Sequence, residues 1–376
     1  MLAGCRVVCP GGVLDPGWVG VAGGRIVEVG LGSPPKAARG RRDLGGAWVL
    51  PGFIDLHMHG GGGHSVTESE SEMAAAVAFH RSRGTTRTLV SALTAPLEQM
   101  CAVASWAASL SRRETKDGNV LGSHLEGPFL ARSRRGAQDP DALLPPDRDV
   151  LARLLDAGDG TVRTMTVAPE LPGGLDLVRA LAAAGVVPAV GHTEADHTVA
   201  AAAFDAGARL LTHTFNAMRG LGHRDPGPIA AAADRSHVTL ELINDGEHVH
   251  GPMVRLLFAL APGRVALITD AMAAAGAGDG EYLLGRQRVR VRAGRAVLEG
   301  GDSIAGSTLT MADAVRRAVL ELGLPIRDVA AAAATAPARL LKVHCGQITA
   351  GYDADLVVLD DDLQVTAVMA DGQWCR

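Results

Sequence analysis

Aromatic residues are scarce in this 376-residue sequence: 4 Trp, 2 Tyr and 6 Phe make up only 3% of it. There is no basic stripe either, and the net charge is -5. Stacking platforms and cationic tracks for nucleic acid are therefore not expected, and any anionic substrate has to be held by a few local cations. Long apolar runs are missing as well. Although 47% of the residues are hydrophobic, the runs are broken by Gly, Pro or charge and fall short of the ~18 to 20 residues of a membrane span. Cysteine is limited to Cys5, Cys9, Cys101, Cys345 and Cys375. Their number is odd, and their spacing fits neither a zinc ribbon nor a disulfide framework, so a reducing, cytoplasmic setting is expected. Leu2-Ala3-Gly4-Cys5 has the look of a lipoprotein cleavage box but no basic segment or apolar stretch before it. Finally, no glycine-rich phosphate fingerprint follows the first strand; Gly60 to Gly63 is a glycine run of another kind.

What is present alternates. Both ends of the chain are β-like: Arg6-Val7-Val8 and Arg25-Ile26-Val27-Glu28-Val29 at one, Asp355-Leu356-Val357-Val358-Leu359 and Val365-Thr366-Ala367-Val368 at the other. Gly and Pro punctuate them, and Asp371-Gly372 is a tight-turn signal. Between them, strand-like runs at 47–56, 86–92, 120–125, 162–167, 186–190, 209–212, 238–243 and 265–269 are separated by helical stretches at 72–83, 97–110, 175–184, 197–206 and 253–260. Ser71 is a plausible cap for the first helix, and Gly84 and Gly185 are plausible stops. Alternation of this kind predicts an α/β (β/α)8 barrel, with a doubly wound open sheet as the second choice. The expected division is a small β-sandwich domain from residues 1–51 and 346–376, and a barrel over 52–345. The alternating stretch 286–298 reads as a β-hairpin insertion, placed near 281–300 and packed on the terminal β domain. Helices are expected again over 308–322 and 326–343. The alanine-rich stretches 200–203 and 331–334 fit tightly packed barrel helices, alanine having the best helix propensity.

The chemistry-bearing residues fall at the ends of these runs. His57-Met58-His59 follows the first, and residues two apart on an extended chain point to the same side, so both imidazoles can reach one ion. The glycines at 60–63 let the backbone turn close beside a ligand. Glu126 ends the third run, His192 and His213 follow the fifth and sixth, and Asp270 follows the eighth. Each alone fits a satisfied core histidine, a cap or an ion-pair partner equally well. Together they lie at C-terminal strand ends, the face on which barrel active sites are built. Imidazoles with carboxylates suit Zn²⁺ or Fe²⁺, and two such ions can be held with Glu126 between them. Asp270 is then placed to act as general base and general acid.

At this point the sequence resembles the amidohydrolase superfamily and, within it, the N-acetylglucosamine-6-phosphate deacetylases. The resemblance runs over nearly the whole chain. It is carried by Pro51-Gly52-Phe53-Ile54-Asp55-Leu56-His57-Met58-His59-Gly60, His124-Leu125-Glu126-Gly127-Pro128-Phe129, Gly191-His192-Thr193, Thr212-His213-Thr214-Phe215-Asn216-Ala217-Met218, Asp225-Pro226-Gly227, Asp245-Gly246-Glu247-His248-Val249-His250, Thr269-Asp270-Ala271-Met272 and Ala305-Gly306-Ser307. Gly346-Gln347-Ile348 and Gly351-Tyr352-Asp353-Ala354-Asp355 resemble the return into the small β domain. The resemblance implies a barrel joined to a β-sandwich and hydrolysis of an acetamide to acetate and glucosamine 6-phosphate. It implies Glu126, His192 and His213 as ligands of a main metal, His57 and His59 as ligands of a second, and Asp270 as the acid/base. It further implies Asn216, Ala217 and His248 as contacts of the sugar phosphate, with Ala305, Gly306 and Ser307 beside the substrate. Arg224 resembles the arginine given to a neighbouring subunit's phosphate site, so a homodimer is implied.

One position departs from the family pattern. After Glu126 the family usually carries a histidine near the acyl group of the substrate, where this chain has Gln138 in Arg134-Arg135-Gly136-Ala137-Gln138. An amide donates a hydrogen bond but carries no positive charge. The expectation is either lower activity or a different substrate. Two other readings stand beside the deacetylase: an amidohydrolase acting on another N-acyl sugar or small amide, and a non-catalytic scaffold of the same fold.

Overall fold

Residues 47–56 look like one strand in the sequence, but in the computed structural model they form two strands in different sheets. Trp48–Pro51 pairs with Leu2–Cys9 and Leu356–Leu359, whereas Phe53–Asp55 pairs in parallel with Thr85–Ala92. Gly52 is the joint. Its N–H donates to the Asp355 carbonyl at 2.8 Å, and a Cβ there would meet Thr86 Oγ1 at 2.3 Å, so only glycine fits so close to the neighbouring strand. The structure describes residues 1–35, 40–113 and 120–375.

The barrel has eight parallel strands in sequential order: Phe53–Asp55, Thr85–Ala92, Val120–Glu126, Val162–Val167, Val187–Val190, Leu210–Leu211, Thr239–Ile243 and Val265–Ile268. Every residue of Thr85–Ala92, Thr239–Ile243 and Val265–Ile268 is buried, as expected for parallel strands covered on both faces. The first and last strands meet just beyond their ends. Asp270 N–H donates to the His57 carbonyl and His59 N–H to the Ala271 carbonyl, both at 2.8 Å. The residues that complete the ring are thus the ones that bear the functional groups.

Helices Glu70–Ser82, Leu97–Ser111, Gly174–Ala183, His197–Asp205 and Gly251–Leu260 lie where the periodicity placed them. The first starts earlier than expected: Ser69, not Ser71, is its cap, accepting from Glu72 N–H. Two further helices, Arg148–Ala157 and Gly227–Ala233, were not anticipated. The signal for the former is plain in hindsight: Asp147 accepts from the N–H groups of Asp149 and Val150, and Leu151 and Leu154 are buried one turn apart. The C-terminal helical pair starts at Met311, behind the Thr310 cap, and at Ile326, and each helix passes through a wide π turn. Ala200, Ala203 and Ala332 to Ala334 are buried in tightly packed helices, as their composition indicated. No helix of the described residues is long and apolar enough to cross a membrane.

Both chain ends meet in one hydrogen-bonded sheet. Its order is Gln373–Trp374, Val365–Ala370, Leu356–Leu359, Trp48–Pro51, Leu2–Cys9, Gly12–Ala22 and Arg25–Leu31, with Arg42–Asp43 beside Leu2–Cys9. A separate apolar cluster containing Leu2, Val7, Val19, Ile26, Val49, Ile348 and Leu356 fills it. The inserted hairpin is larger than expected and lies elsewhere. It is a three-stranded antiparallel sheet, Gly280–Leu284, Gln287–Arg292 and Arg295–Leu298. Its buried side chains Leu284, Val289, Val291 and Ala296 pack on Leu93, Met272, Ala274 and Ala305. That places it at the barrel mouth and not on the terminal sheet. The alternation of 286–298 reveals a strand pair but not the surface that its apolar face covers.

Candidate active site

The barrel brings the strand-end residues to one point. Glu126 is the last residue of its strand, while His57, His192, His213 and Asp270 each lie two residues beyond theirs. His57 Nε2 is 3.0 Å from His59 Nε2, with the intervening Met58 in the core. Asp270 Oδ1 lies 3.2 Å from His59 Nε2 and 3.6 Å from His57 Nε2. Glu126 Oε1 lies 2.9 Å from His192 Nε2 and 3.1 Å from His213 Nε2, and its Oε2 is 3.3 Å from His59 Nε2. Two three-residue groups result, His57/His59/Asp270 and Glu126/His192/His213, each with its ligand atoms within 4.8 Å of one another.

The donor set itself fits a cation. His59 Nδ1 is 3.1 Å from the Ser91 carbonyl and His192 Nδ1 is 2.7 Å from the Arg134 carbonyl. A carbonyl only accepts, so in the neutral rings these Nδ1 atoms carry the proton and the Nε2 lone pairs point inward. His57 Nδ1 is likewise 3.5 Å from a carboxylate oxygen of Glu241. Nε2 atoms face one another at 3.0 Å in both His57/His59 and His192/His213, an arrangement that a cation between them would stabilise. The electrostatics run the same way. Burial pushes His57 down, but Glu126 and Asp270 outweigh it and hold its pKa well above the ordinary value. Burial pushes Asp270 up, yet His57 and His59 bring it to about 2.

Several of these residues sit in strained backbone. His192, His213 and Asp270 have φ of +48°, +26° and +49°, and Phe215 and Ala217 have +81° and +50°. Left-handed backbone costs a non-glycine residue on the order of 1–3 kcal/mol and persists where surrounding structure enforces it. Here the enforcement is visible. Asp270 is held on both sides, by its N–H to His57 and by Ser307 N–H to its carbonyl at 2.7 Å. His213 N–H donates to Glu241 Oε2 at 3.2 Å, and Thr193 N–H to the Ala217 carbonyl at 3.1 Å.

Of the expected substrate contacts, Gln138, Asn216, Ala217, His248 and Gly306 line a cleft of about 430 Å³ together with His59, Glu126, His192, His213 and Asp270. His248 donates from Nδ1 to Asp245 at 2.6 Å; burial lowers its pKa, but that carboxylate more than compensates and raises it. Ala305 and Ser307 are not in the lining: Ala305 packs under the inserted sheet, and Ser307 Oγ donates to the Thr269 carbonyl at 2.5 Å. Arg224 is exposed and outside the cleft of its own chain.

A model of the amidohydrolase family matches residues 48–375. This chain is an amidohydrolase. Its curated relatives include the N-acetylgalactosamine-6-phosphate deacetylase of Escherichia coli O157:H7, 35% identical over 98% of this chain and 97% of the relative. The N-acetylglucosamine-6-phosphate deacetylase of Bos taurus is also 35% identical, over 98% of this chain and 93% of the relative. Among solved structures, a variant N-acetyl-D-glucosamine-6-phosphate deacetylase from Mycobacterium smegmatis, in complex with N-acetyl-D-glucosamine-6-phosphate, is 46% identical. It superposes with a TM-score of 0.94, covering 100% of this chain and 98% of its own. The N-acetylglucosamine-6-phosphate deacetylase from Thermotoga maritima is 28% identical with a TM-score of 0.89, covering 100% and 99%.

The amidohydrolase site also contains residues that the sequence did not single out. Glu241 braces both His57 and His213 from inside the barrel. Asp55 accepts from His57 N–H, Thr269 N–H and Thr269 Oγ1, tying the first strand to the last; burial raises its pKa to about 6 against those bonds. His124 lies edge-on to His57 at 4.4 Å, between Ser91 Oγ and Thr166 Oγ1. A usable signal existed for Glu241 and Asp55 alone: each is a carboxylate inside an otherwise apolar strand.

Proposed function

We propose that this amidohydrolase hydrolyses the acetamide of N-acetyl-D-glucosamine 6-phosphate, releasing acetate and D-glucosamine 6-phosphate. One observation carries the reading. The cleft that joins both ligand groups to Asn216, Ala217 and His248 belongs to a chain 46% identical, end to end, to a deacetylase solved with that sugar phosphate. In this reading Glu126, His192 and His213 hold one divalent ion and His57, His59 and Asp270 a second; Zn²⁺ suits the set best, and Fe²⁺ is the alternative. An ion bound there would supply Lewis acidity toward the acyl oxygen and the attacking water. Asp270 takes the proton of the water that attacks the acetyl carbon and delivers it to the sugar nitrogen as the C–N bond breaks. Asn216, the Ala217 backbone and His248 bind the sugar phosphate. Arg224, exposed on its own chain, reaches the phosphate of a second copy, so the working unit is a cytoplasmic homodimer; a guanidinium can grip phosphate through two hydrogen bonds.

The relative from Escherichia coli O157:H7 makes the galactosamine epimer the second reading. The test is acetate release from N-acetylglucosamine 6-phosphate, N-acetylgalactosamine 6-phosphate and unphosphorylated N-acetylglucosamine, beside a metal assay. Fast release from the first alone is expected. Indifference to phosphate would sink the phosphosugar reading. A metal-free protein that hydrolyses none of the three would mark a non-catalytic scaffold.

A further inference from the structure

Gln138 lines the cleft yet is only 4% exposed, because a closed ring of hydrogen bonds holds it. Thr94 N–H donates to Gln138 Oε1 at 2.8 Å, and Gln138 Nε2 donates to Glu126 Oε2 at 2.6 Å. Thr94 Oγ1 closes the ring by donating to the Glu126 backbone carbonyl at 2.7 Å. A backbone N–H can only donate, so Thr94 decides which end of the amide is oxygen and turns the NH₂ group onto the carboxylate. The same loop also steadies the opposite ligand: Arg134, four residues earlier, offers its carbonyl to His192 Nδ1.

We propose that Gln138 is a positioning residue for the metal site. Its Nε2 pins Oε2 of Glu126, leaving Oε1 closest to His192 and His213, at 2.9 and 3.1 Å, with His57 Nε2 farther off at 3.5 Å. The terminal torsion of a glutamate is broad, so a carboxylate without this bond is free to exchange its two oxygens between the ligand groups. Groups of this kind, bonded to a ligand and not to the ion, typically change metal affinity 10- to 100-fold when removed. The bond also occupies part of the oxygen facing His59, so the two groups are unequal, and the Glu126/His192/His213 group holds its ion more tightly. The glutamine is therefore built into this chain's metal site, and its amide is not simply a weaker stand-in for a charged contact to the acyl group. The inference rests on Glu126 as a metal ligand and not on the identity of the sugar.

The test compares the wild type, Gln138→Leu and Gln138→His, each stripped and reloaded with Zn²⁺ and titrated against a competing chelator. Leucine can neither accept from Thr94 nor donate to Glu126, whereas a neutral imidazole can do both. Zn²⁺ affinity is expected to fall about 10- to 100-fold in Gln138→Leu and to return to within roughly 3-fold of wild type in Gln138→His. At saturating Zn²⁺, kcat falls in the leucine variant while KM changes by less than about 3-fold. Unchanged affinity in a folded Gln138→Leu protein overturns the proposal, as does a defect confined to KM. Should that variant not fold, Gln138→Met, close to glutamine in length and flexibility, removes the same two bonds, and unchanged affinity there overturns the proposal equally. A wild type that binds Zn²⁺ tightly but releases no acetate would sink the deacetylase reading and leave this inference standing.

Discussion

Two clusters of charge, one where the barrel joins the terminal sheet and one at the barrel mouth, are built on opposite principles. In one, Arg87 of the second barrel strand donates from Nε to Asp355 Oδ2 at 2.7 Å and from Nη2 to Asp371 Oδ1 at 2.6 Å. Asp355 also accepts from Asp371 N–H at 2.8 Å. Each donor of the cluster meets a carboxylate oxygen, although Asp371 Oδ2 has no hydrogen-bond partner among the described residues, and the cluster ties the barrel to the terminal sheet. Burial works against the charge on Arg87, but Asp355 and Asp371 outweigh it and keep the guanidinium protonated. In the other, imidazole nitrogens face each other at 3.0 Å, and two carboxylates close in on them. An added cation would satisfy those groups together. Withdrawn charge thus serves architecture in the junction cluster and chemistry at the mouth.

The sharpest way to break the comparison is to change one residue in each cluster. Asp270→Asn keeps the shape of the mouth but removes the proton acceptor, so kcat/KM for acetate release should fall by about 10² to 10⁴. The melting temperature should fall far less than the activity, because the amide keeps the shape of the carboxylate and the backbone bonds that hold residue 270 are unchanged. A large loss of stability with activity retained would reverse the assignment of roles. Arg87→Met should do the opposite. It leaves the buried Asp355 and the half-buried Asp371 without their cation, at a cost of about 3–5 kcal/mol in denaturant unfolding. The fraction that stays folded should keep its kcat. A stability change below about 1 kcal/mol, in the range of an exposed ion pair, would show that the junction cluster is open to solvent in solution.

The same contrast explains what could be read in advance. The strand-end positions of His57, Glu126, His192, His213 and Asp270 were legible because a parallel barrel turns chain order into spatial convergence. The split at Gly52 was not, since an apolar run looks the same whichever sheet it joins. Nor was the resting place of the inserted sheet, because alternation marks a buried face without naming its partner. The left-handed backbone at His192, His213 and Asp270 gave no signal either: no glycine occupies these positions, and the chain is held from a distance, by Ala131 at His192, Glu241 at His213, and His57 and Ser307 at Asp270. The partners of Gln138 were hidden for a related reason. Its residue type announced a hydrogen bond, but only Thr94 determines where that bond goes.

His80 tests whether completeness, not proximity to the mouth, is what separates the clusters. It is 1% exposed and its Nε2 donates to the Gly60 carbonyl at 2.9 Å, bracing the glycine turn that follows His59. Its Nδ1 has no hydrogen-bond partner among the described residues, and burial lowers its pKa from 6.5 to about 4. The folded ring is therefore neutral where an unfolded one takes up a proton. The stability it contributes is intact above pH 6.5 and lost as pH falls toward 4, with a loss of about 2 kcal/mol already at pH 5. A His80→Gln protein keeps an amide donor for Gly60 but has nothing to titrate. Urea unfolding at pH 7 and pH 5 should then show an acid loss smaller than wild type by about that amount. If both proteins lose equally, His80 is not held neutral, and the turn after His59 keeps its shape through the close packing of Gly60 and Gly61 alone.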